Sequence, residues 1–234
     1  MTDRIMNILI LGGMQAYGPG LPGGKSYVSQ LIRRLRADGY AVQVDQYGPL
    51  TLPEAATLLS RLKLYDYDYL LLQLGDAELA QPYRWPVRHP ATHLNPSLGT
   101  WLRRRVSQLH LWARRHQTAP MRVLRHQLAT VLMLVQPYRN RTLMVPPLPQ
   151  RRAGAALQQA LTQSLFLDES RLWGVPCYDV ATLLDHDSLL FQTDTTDDLN
   201  ELAHELLGST LHTQLIEHDP VPPERPRWRR PSTS

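Results

Sequence analysis

The chain has 234 residues, of which 43% are hydrophobic and 20% are charged, and its formal net charge is +4. This length suits one domain with a substantial core, and the single cysteine, Cys177, excludes an internal disulfide. No uninterrupted apolar run approaches the roughly 18 residues that are needed to span a bilayer. Because the first residues also lack the basic start and long apolar region of a signal peptide, we expect a cytoplasmic protein without a transmembrane segment.

The first predicted element is a buried strand that ends in two glycines. Residues Met6–Leu11 are mostly Ile and Leu, and Gly12 and Gly13 follow them. A continuous apolar run of this kind is typical of a parallel strand that is covered on both faces. In open α/β sheets, the loop after such a strand lies at the carboxyl ends of the strands, where ligands bind. The sequence therefore predicts a site near Met14.

Strands and helices alternate through the first third of the chain. Val28, Leu31 and Leu35 recur at helical spacing, and Thr51 is a suitable N-cap for a second helix that has Pro and Glu in its first turn. The predicted elements are the strand Met6–Leu11, a helix from about Ser26 to Asp38, the strand Ala41–Val44, a helix from Thr51 to about Lys63 and the strand Tyr69–Leu74.

The second half of the chain continues this alternation after an irregular, proline-rich stretch. The predicted elements are helices over about 96–116 and 121–136, a strand at Thr142–Val145, a helix over 152–164, a weak strand at Gly174–Tyr178 and a last helix over about 197–216. We therefore predict a three-layer α/β/α sandwich with a flavodoxin-like parallel sheet of about five strands. Residues 1–219 would form this single domain, with a basic helical insertion at about 81–118. Residues 220–234 contain five prolines and four arginines and are predicted to be a disordered tail.

Short motifs at the predicted strand ends resemble those of the SGNH (GDSL-type) hydrolase family. Gly12-Gly13-Met14 follows the first strand, where that family has G-D-S. Gly75-Asp76-Ala77-Glu78 follows the third strand, where the family has G-x-N-D, and Gly48 matches a glycine that contributes a backbone N–H after the second strand. The resemblance covers about residues 5–215, and it implies the fold of these ester hydrolases.

The last motif of that family, D-x-x-H before the final helix, matches this chain in two alternative registers. In one register, Thr195 and Asp198 stand at the positions of the family's Asp and His. In the other register, Asp194 and Asp197 occupy these positions. Neither register supplies a histidine.

The resemblance therefore implies an SGNH-like protein that lacks the Ser/Asn/His catalytic residues. Met14 stands at the position of the nucleophile, Ala77 at that of the side-chain amide and Asp198 at that of the imidazole. Loss of nucleophile and base removes triad catalysis of order 10⁶-fold in a comparable enzyme. We predict a non-catalytic binding or interaction protein. The candidate ligand-binding residues are Gly13, Met14, Tyr17, Gly48, Asp76, Arg84 and Arg105.

A hydrolase with a different mechanism is the alternative prediction. Asp76 and Glu78 follow the third strand, at the edge of the sheet where a crevice is expected. Together with Asp194 or His204 they could perform acid–base chemistry. The simpler interpretation is that the two carboxylates are polar loop residues and that His204 is a packed or exposed helix residue.

The sequence does not predict a metal or another cofactor. His89 and His93 have an i, i+4 spacing, but Pro90 between them disfavours a helix. No cysteine or acidic residue accompanies the two histidines, as a zinc site would require.

An unusually basic stretch leaves the identity of a partner open. Between Leu79 and Leu167 there are thirteen arginines and no acidic residue. Within this stretch, Trp101–His116 interleaves tryptophan with arginine, as anionic ligand clamps, nucleic-acid grooves and anionic membrane surfaces do. The simpler interpretation is a surface that pairs with the acidic parts of this chain or with a second copy. An anionic ligand, an anionic polymer or membrane surface, and self-association all remain possible.

Overall fold

A parallel sheet of four strands organises the part of the chain that the computed structural model describes, namely residues 4–80, 119–148, 155–180, 183–184, 190–192 and 198–217. The strands are β1 (Arg4–Leu11), β2 (Tyr40–Tyr47), β3 (Tyr69–Gln73) and β4 (Thr142–Val145), and their order is β2-β1-β3-β4. All three pairings are parallel. The helices are α1 (Tyr27–Ala37), α2 (Leu52–Arg61), α3 (Asp76–Ala80), α4 (Ala119–Val135), α5 (Ala155–Trp173) and α6 (Glu201–Glu217). The predicted α/β/α architecture is confirmed.

Helices cover both faces of the sheet, as the apolar run of β1 predicts. Successive side chains of a strand point to opposite faces. Ile8 and Ile10 pack with α1 and α6, whereas Leu9 and Leu11 pack with α2 and α4. All four side chains are fully buried. A strand buried on both faces has no polar alternation, because neither face meets water.

The first two helices begin at the capping residues that the sequence indicates. The hydroxyl oxygen of Ser26 accepts a hydrogen bond from the N–H of Ser29 at the start of α1. Thr51 and Glu54 form a reciprocal capping box at the start of α2. Each cap satisfies N–H groups that have no partner inside the helix.

The fifth strand is reduced to a single bridge among the described residues. Cys177 pairs in parallel with Met144, and the two flanking backbone hydrogen bonds join Met144 to Pro176 and Tyr178. Proline has no N–H to donate to a ladder, which is consistent with so short a pairing. The prediction of about five strands therefore corresponds to four strands and one bridged residue.

The later helices differ from their predicted bounds. α5 continues to Trp173, well beyond the predicted end at 164, because Phe166 and neighbouring residues remain buried against the sheet. α6 begins at Glu201 rather than near 197, since the side chain of Asn200 accepts the N–H of Ala203 and caps the helix. The predicted insertion at 81–118 and the tail at 220–234 lie outside the described residues. Within those residues, no helix is long and apolar enough to cross a membrane.

Candidate functional site

The turn after β1 lies directly against the end of β2. The N–H of Gly12 donates to the carbonyl of Tyr47 at 2.9 Å, and the hydroxyl of Tyr17 donates to the carbonyl of Gly48 at 2.8 Å. A Cβ atom on Gly48 would lie 2.0 Å from the carbonyl oxygen of Gly12, and the φ of Gly48 is +145°. Only glycine suits this close approach. The carboxyl ends of β1 and β2 therefore form a wall at the edge of the sheet where a ligand crevice is expected.

Met14 is the first residue of a short 3-10 turn, Met14–Tyr17, on this wall. Its side chain is 53% exposed, and that of Tyr17 is 46% exposed. In the part of the chain that the structure describes, the N–H groups of Met14 and Gly48 donate no hydrogen bond. Two backbone donors on neighbouring loops are thus available to a ligand.

A buried glutamine connects this wall to the end of β3. The N–H of Gly13 donates to Oε1 of Gln73 at 2.7 Å, and Nε2 of Gln73 donates to Oδ2 of Asp76 at 2.8 Å. Oδ1 of Asp76 accepts the N–H of Leu148, after β4, at 3.3 Å. This Gln73–Asp76 network links the carboxyl ends of three strands and uses the N–H of Gly13 inside the protein. Sequence reasoning missed Gln73, although a polar residue at the end of an apolar strand was the available signal.

Burial changes the acidity of Asp76. Removal from water raises the pKa of its carboxyl to about 6, and the negative charge of Glu78 acts in the same direction. The hydrogen bonds from Gln73 and Leu148 favour the ionised form and partly oppose this effect. Asp76 can therefore change its protonation state under mildly acidic conditions.

Glu78 connects α3 to the start of α2. Its Oε1 accepts the N–H of Leu52 at 2.6 Å, while its Oε2 is buried without a hydrogen-bond partner among the described residues. Burial is the largest effect on the pKa of Glu78 and raises it. Ala77, between the two acids, contributes no polar side-chain atom. Asp76 and Glu78 are therefore held by different partners and do not form one paired site.

Asp198 approaches the crevice from the C-terminal part of the chain. Its Oδ1 accepts a hydrogen bond from Nε2 of Gln15 at 3.1 Å, and Oε1 of Gln15 accepts the N–H of Leu199 at 3.4 Å. Gln15 is nearly buried, and sequence reasoning did not identify it. The structure thus brings Asp198 to the turn that carries Met14. The other candidates of this motif, Asp194, Thr195 and Asp197, lie outside the described residues.

His204 lies in the interface between α1 and α6. Its imidazole is fully buried, and Nδ1 accepts the backbone N–H of Tyr27 at 3.1 Å. Burial lowers the pKa of His204 to about 4, and the charge of Asp198 opposes this shift. A neutral, buried ring in this position serves packing and capping.

The remaining candidate ligand residues, Arg84 and Arg105, lie outside the described residues, as does the histidine pair His89 and His93. Partners of the arginine-rich stretch stay predictions. Among the residues that the structure does describe, no three His, Cys, Asp or Glu side chains are grouped as metal ligands.

Several solved structures on which this chain superposes are described as esterases or acylhydrolases. The chain superposes on TesA with a TM-score of 0.62 at 14% identity, covering 91% of this chain and 99% of TesA. It superposes on the psychrotrophic esterase EstA from Pseudoalteromonas sp. with a TM-score of 0.60 at 16% identity, covering 90% and 97% of the two chains. AlinE4, an SGNH-hydrolase family esterase, gives a TM-score of 0.51 at 16% identity and covers 93% and 97%.

These similarities define the class of fold. The chain has an SGNH hydrolase-like α/β/α fold. No model of a known protein family and no curated protein matches the sequence. Because the identities are low, activity has to be inferred from the residues of this chain.

Proposed function

We propose that this protein is a non-catalytic binding protein built on an SGNH hydrolase-like fold. The observation that carries the proposal is the side chain of Met14 at the start of the turn after β1. A thioether has no proton to lose and is not a nucleophile for ester carbonyls, unlike a hydroxyl or a thiol. More than half of this side chain is exposed, so it can contact a ligand.

The contacts of Asp198 support the same function. In the triad mechanism, an imidazole takes the proton of the nucleophile. The Asp198 carboxylate instead accepts a hydrogen bond from the Gln15 amide, next to Met14. Gln15 also accepts the N–H of Leu199. These contacts fasten the segment before α6 to the turn after β1, which is a structural role.

The available backbone donors indicate what such a crevice can hold. The N–H groups of Met14 and Gly48 come from two loops that approach closely at Gly12. Two N–H donors on adjoining loops, neither with an acceptor among the described residues, suit an oxygen acceptor such as a carbonyl or a carboxylate. We expect a small ligand with an oxygen of this kind.

Ester hydrolysis tests the absence of catalysis. The wild-type protein is expected to hydrolyse p-nitrophenyl acetate and p-nitrophenyl butyrate no faster than buffer. Met14→Ser alone should stay inactive, because a serine without an imidazole partner is not activated. The triple variant Met14→Ser, Ala77→Asn, Asp198→His introduces the hydroxyl, the side-chain amide and the imidazole together and serves as the comparison for the single variant. Turnover by the wild type, or by Met14→Ser alone with unchanged circular dichroism, would overturn the proposal.

A proline at position 14 tests the binding role. Gly13 has extended backbone angles (φ −77°, ψ −172°), which a following proline allows, and proline suits the first position of a helical turn. Met14→Pro removes the N–H, whereas Met14→Ala removes only the side chain. With butyrate as the probe, we expect Met14→Pro to weaken binding by roughly tenfold or more and Met14→Ala to weaken it less. Calorimetric titration measures both. Absence of butyrate binding by the wild type, or equal losses in the two variants, would contradict a carboxylate site.

A hydrolase that uses Asp76 is the second candidate. It is favoured by the pKa of about 6, which is suitable for acid–base work near neutral pH. Its weakness is that both oxygens of Asp76 already accept hydrogen bonds from the protein. Turnover of p-nitrophenyl esters or phosphoesters that Asp76→Ala abolishes without unfolding would establish this candidate. Unchanged background rates in both proteins would remove it.

A further inference from the structure

His204 supplies a hydrogen-bond acceptor to the first turn of α1. The N–H groups of the first helical turn have no acceptor inside their own helix. Nδ1 of His204, on α6, accepts the N–H of Tyr27, the first residue of α1. The two rings are nearly parallel, at 9°, with their centroids 6.0 Å apart. The contact joins the last described helix to the first.

This hydrogen bond fixes the protonation state of the ring. A neutral imidazole has one acceptor nitrogen, so acceptance at Nδ1 places the proton of His204 on Nε2. Protonation would convert Nδ1 into a donor that faces the N–H donor of Tyr27. The ring is fully buried, and Nε2 has no hydrogen-bond partner within the described residues. The interface therefore accommodates the neutral ring and opposes the charged one.

The loop between β1 and α1 is fastened to the C-terminal part of the chain near this contact. Its residues form side-chain bonds both to the segment before α6 and to the first turn of α6. These bonds join Gln15 to Asp198, the carbonyl of Pro19 to Gln192, and Lys25 to Glu201. The contact between His204 and Tyr27 lies at the buried end of this series.

We propose that His204 is a pH-sensitive positioning residue: while neutral, it holds the start of α1 and the loop that carries Met14 against α6, and on protonation it releases them. This pH response concerns the backbone around Met14 and the start of α1, and it goes beyond the binding role proposed above. The low pKa of His204 is consistent with it.

Other charged groups share the interface and have to be separated from His204. Asp198 lies before α6, and the phenol of Tyr27 stays neutral in this pH range because burial raises its pKa. Exposed or partly exposed ion pairs also join α1, its C-cap or the loop before it to α6. They are Arg34 with Glu205, Asp38 with His212 and Lys25 with Glu201. A variant at position 204 alone leaves all of them in place.

His204→Asn is the matched variant. The Oδ1 atom of asparagine can take the position of Nδ1 and accept the N–H of Tyr27, but it does not titrate. Amide hydrogen exchange of both proteins is measured between pH 6.5 and 4, with and without low guanidinium. As the pH falls from 6.5 to 4, the opening constant of the Tyr27 amide in the wild type should rise by about 80-fold relative to the variant.

Local release has its own signature in this experiment. At pH 4.5, the Tyr27 amide of the wild type should open more readily than the amides of Leu9 and Leu71 in the sheet, with little dependence on guanidinium. In His204→Asn, the Tyr27 amide should keep its protection. Equal pH profiles in the two proteins, or opening of Tyr27 only together with the sheet, would overturn the proposal.

A measurement on the wild type alone covers the case in which the variant does not fold. The ring nitrogens of His204 are followed by nitrogen-15 NMR during acidification. Loss of the neutral Nε2–H form should occur well below the ordinary pKa of histidine and together with the loss of the Tyr27 contact. Titration of the His204 ring near pH 6.5 while its hydrogen bond from Tyr27 stays intact would refute the proposal.

Discussion

Replacement of Gly48 by alanine is expected to destabilise the protein by at least about 3 kcal/mol. The new Cβ would lie 2.0 Å from the carbonyl oxygen of Gly12 and 3.0 Å from its carbonyl carbon. Backbone atoms of a central strand end cannot move aside as a flexible side chain can. The φ of +145° adds strain, because side chains rarely adopt it. Chemical denaturation followed by circular dichroism measures the free energy of unfolding.

Gly23→Ala is the control for this prediction. A Cβ on Gly23 meets no atom within 4 Å, and its φ lies outside the positive region. We expect the free energy of unfolding to change by less than about 0.5 kcal/mol in this control. Similar values for the two variants would mean that the approach of the β1 turn to the end of β2 is not rigid.

Ionisation of Asp76 is expected to lower the free energy of unfolding by about 3 kcal/mol as the pH rises from about 3.8 to neutral. Its pKa is raised from 3.8 to about 6, so the folded state holds the proton more tightly than the unfolded chain does. The stability that this carboxyl contributes is therefore fully present below about pH 4 and is lost as the pH rises through 6. Denaturation of the wild type and of Asp76→Asn is compared from pH 3.5 to 7.

The difference between these two curves isolates Asp76, because every other titrating group is common to both proteins. The unfolding free energy of the wild type should fall relative to that of Asp76→Asn by about 3 kcal/mol as the pH rises across this range. His204 contributes a pH dependence of the unfolding free energy that has the opposite sign. Because its pKa is lowered in the folded state, its protonation destabilises the folded state as the pH falls from 6.5 towards 4. A constant difference between wild type and Asp76→Asn would show that the carboxyl is well solvated.

The sequence predicted the elements whose physical signals are local. The apolar runs of β1 and β3 required burial on both faces, and Thr51 with Glu54 specified a helix start through bonds within four residues. The expected position of a crevice followed from these elements, because the carboxyl ends of parallel strands meet at one edge of the sheet. Met14 and Gly48 are indeed on neighbouring loops there.

The contacts that define the crevice are long-range, and local patterns do not contain them. Gly13 and Gln73 are far apart in sequence, as are Gln15 and Asp198, and each pair meets only after the sheet has formed. The role of His204 depended likewise on the packing of α6 against α1, which decides between an exposed helix residue and a buried cap. The length of α5 also depended on tertiary burial, which extends a helix past its local pattern.

The packing of α6 on α1 has a consequence for synthesis of the chain. Val28, Leu31 and Leu35 of α1 are covered by Leu207, Leu211 and other residues of α6, which follows every other described element in sequence. On the ribosome, which adds residues from the N-terminus onward, the sheet can pair while this face of α1 is still exposed. An apolar face of α1 therefore stays without its native cover until α6 has been made, and exposed apolar surface of this kind favours aggregation of a partly folded chain.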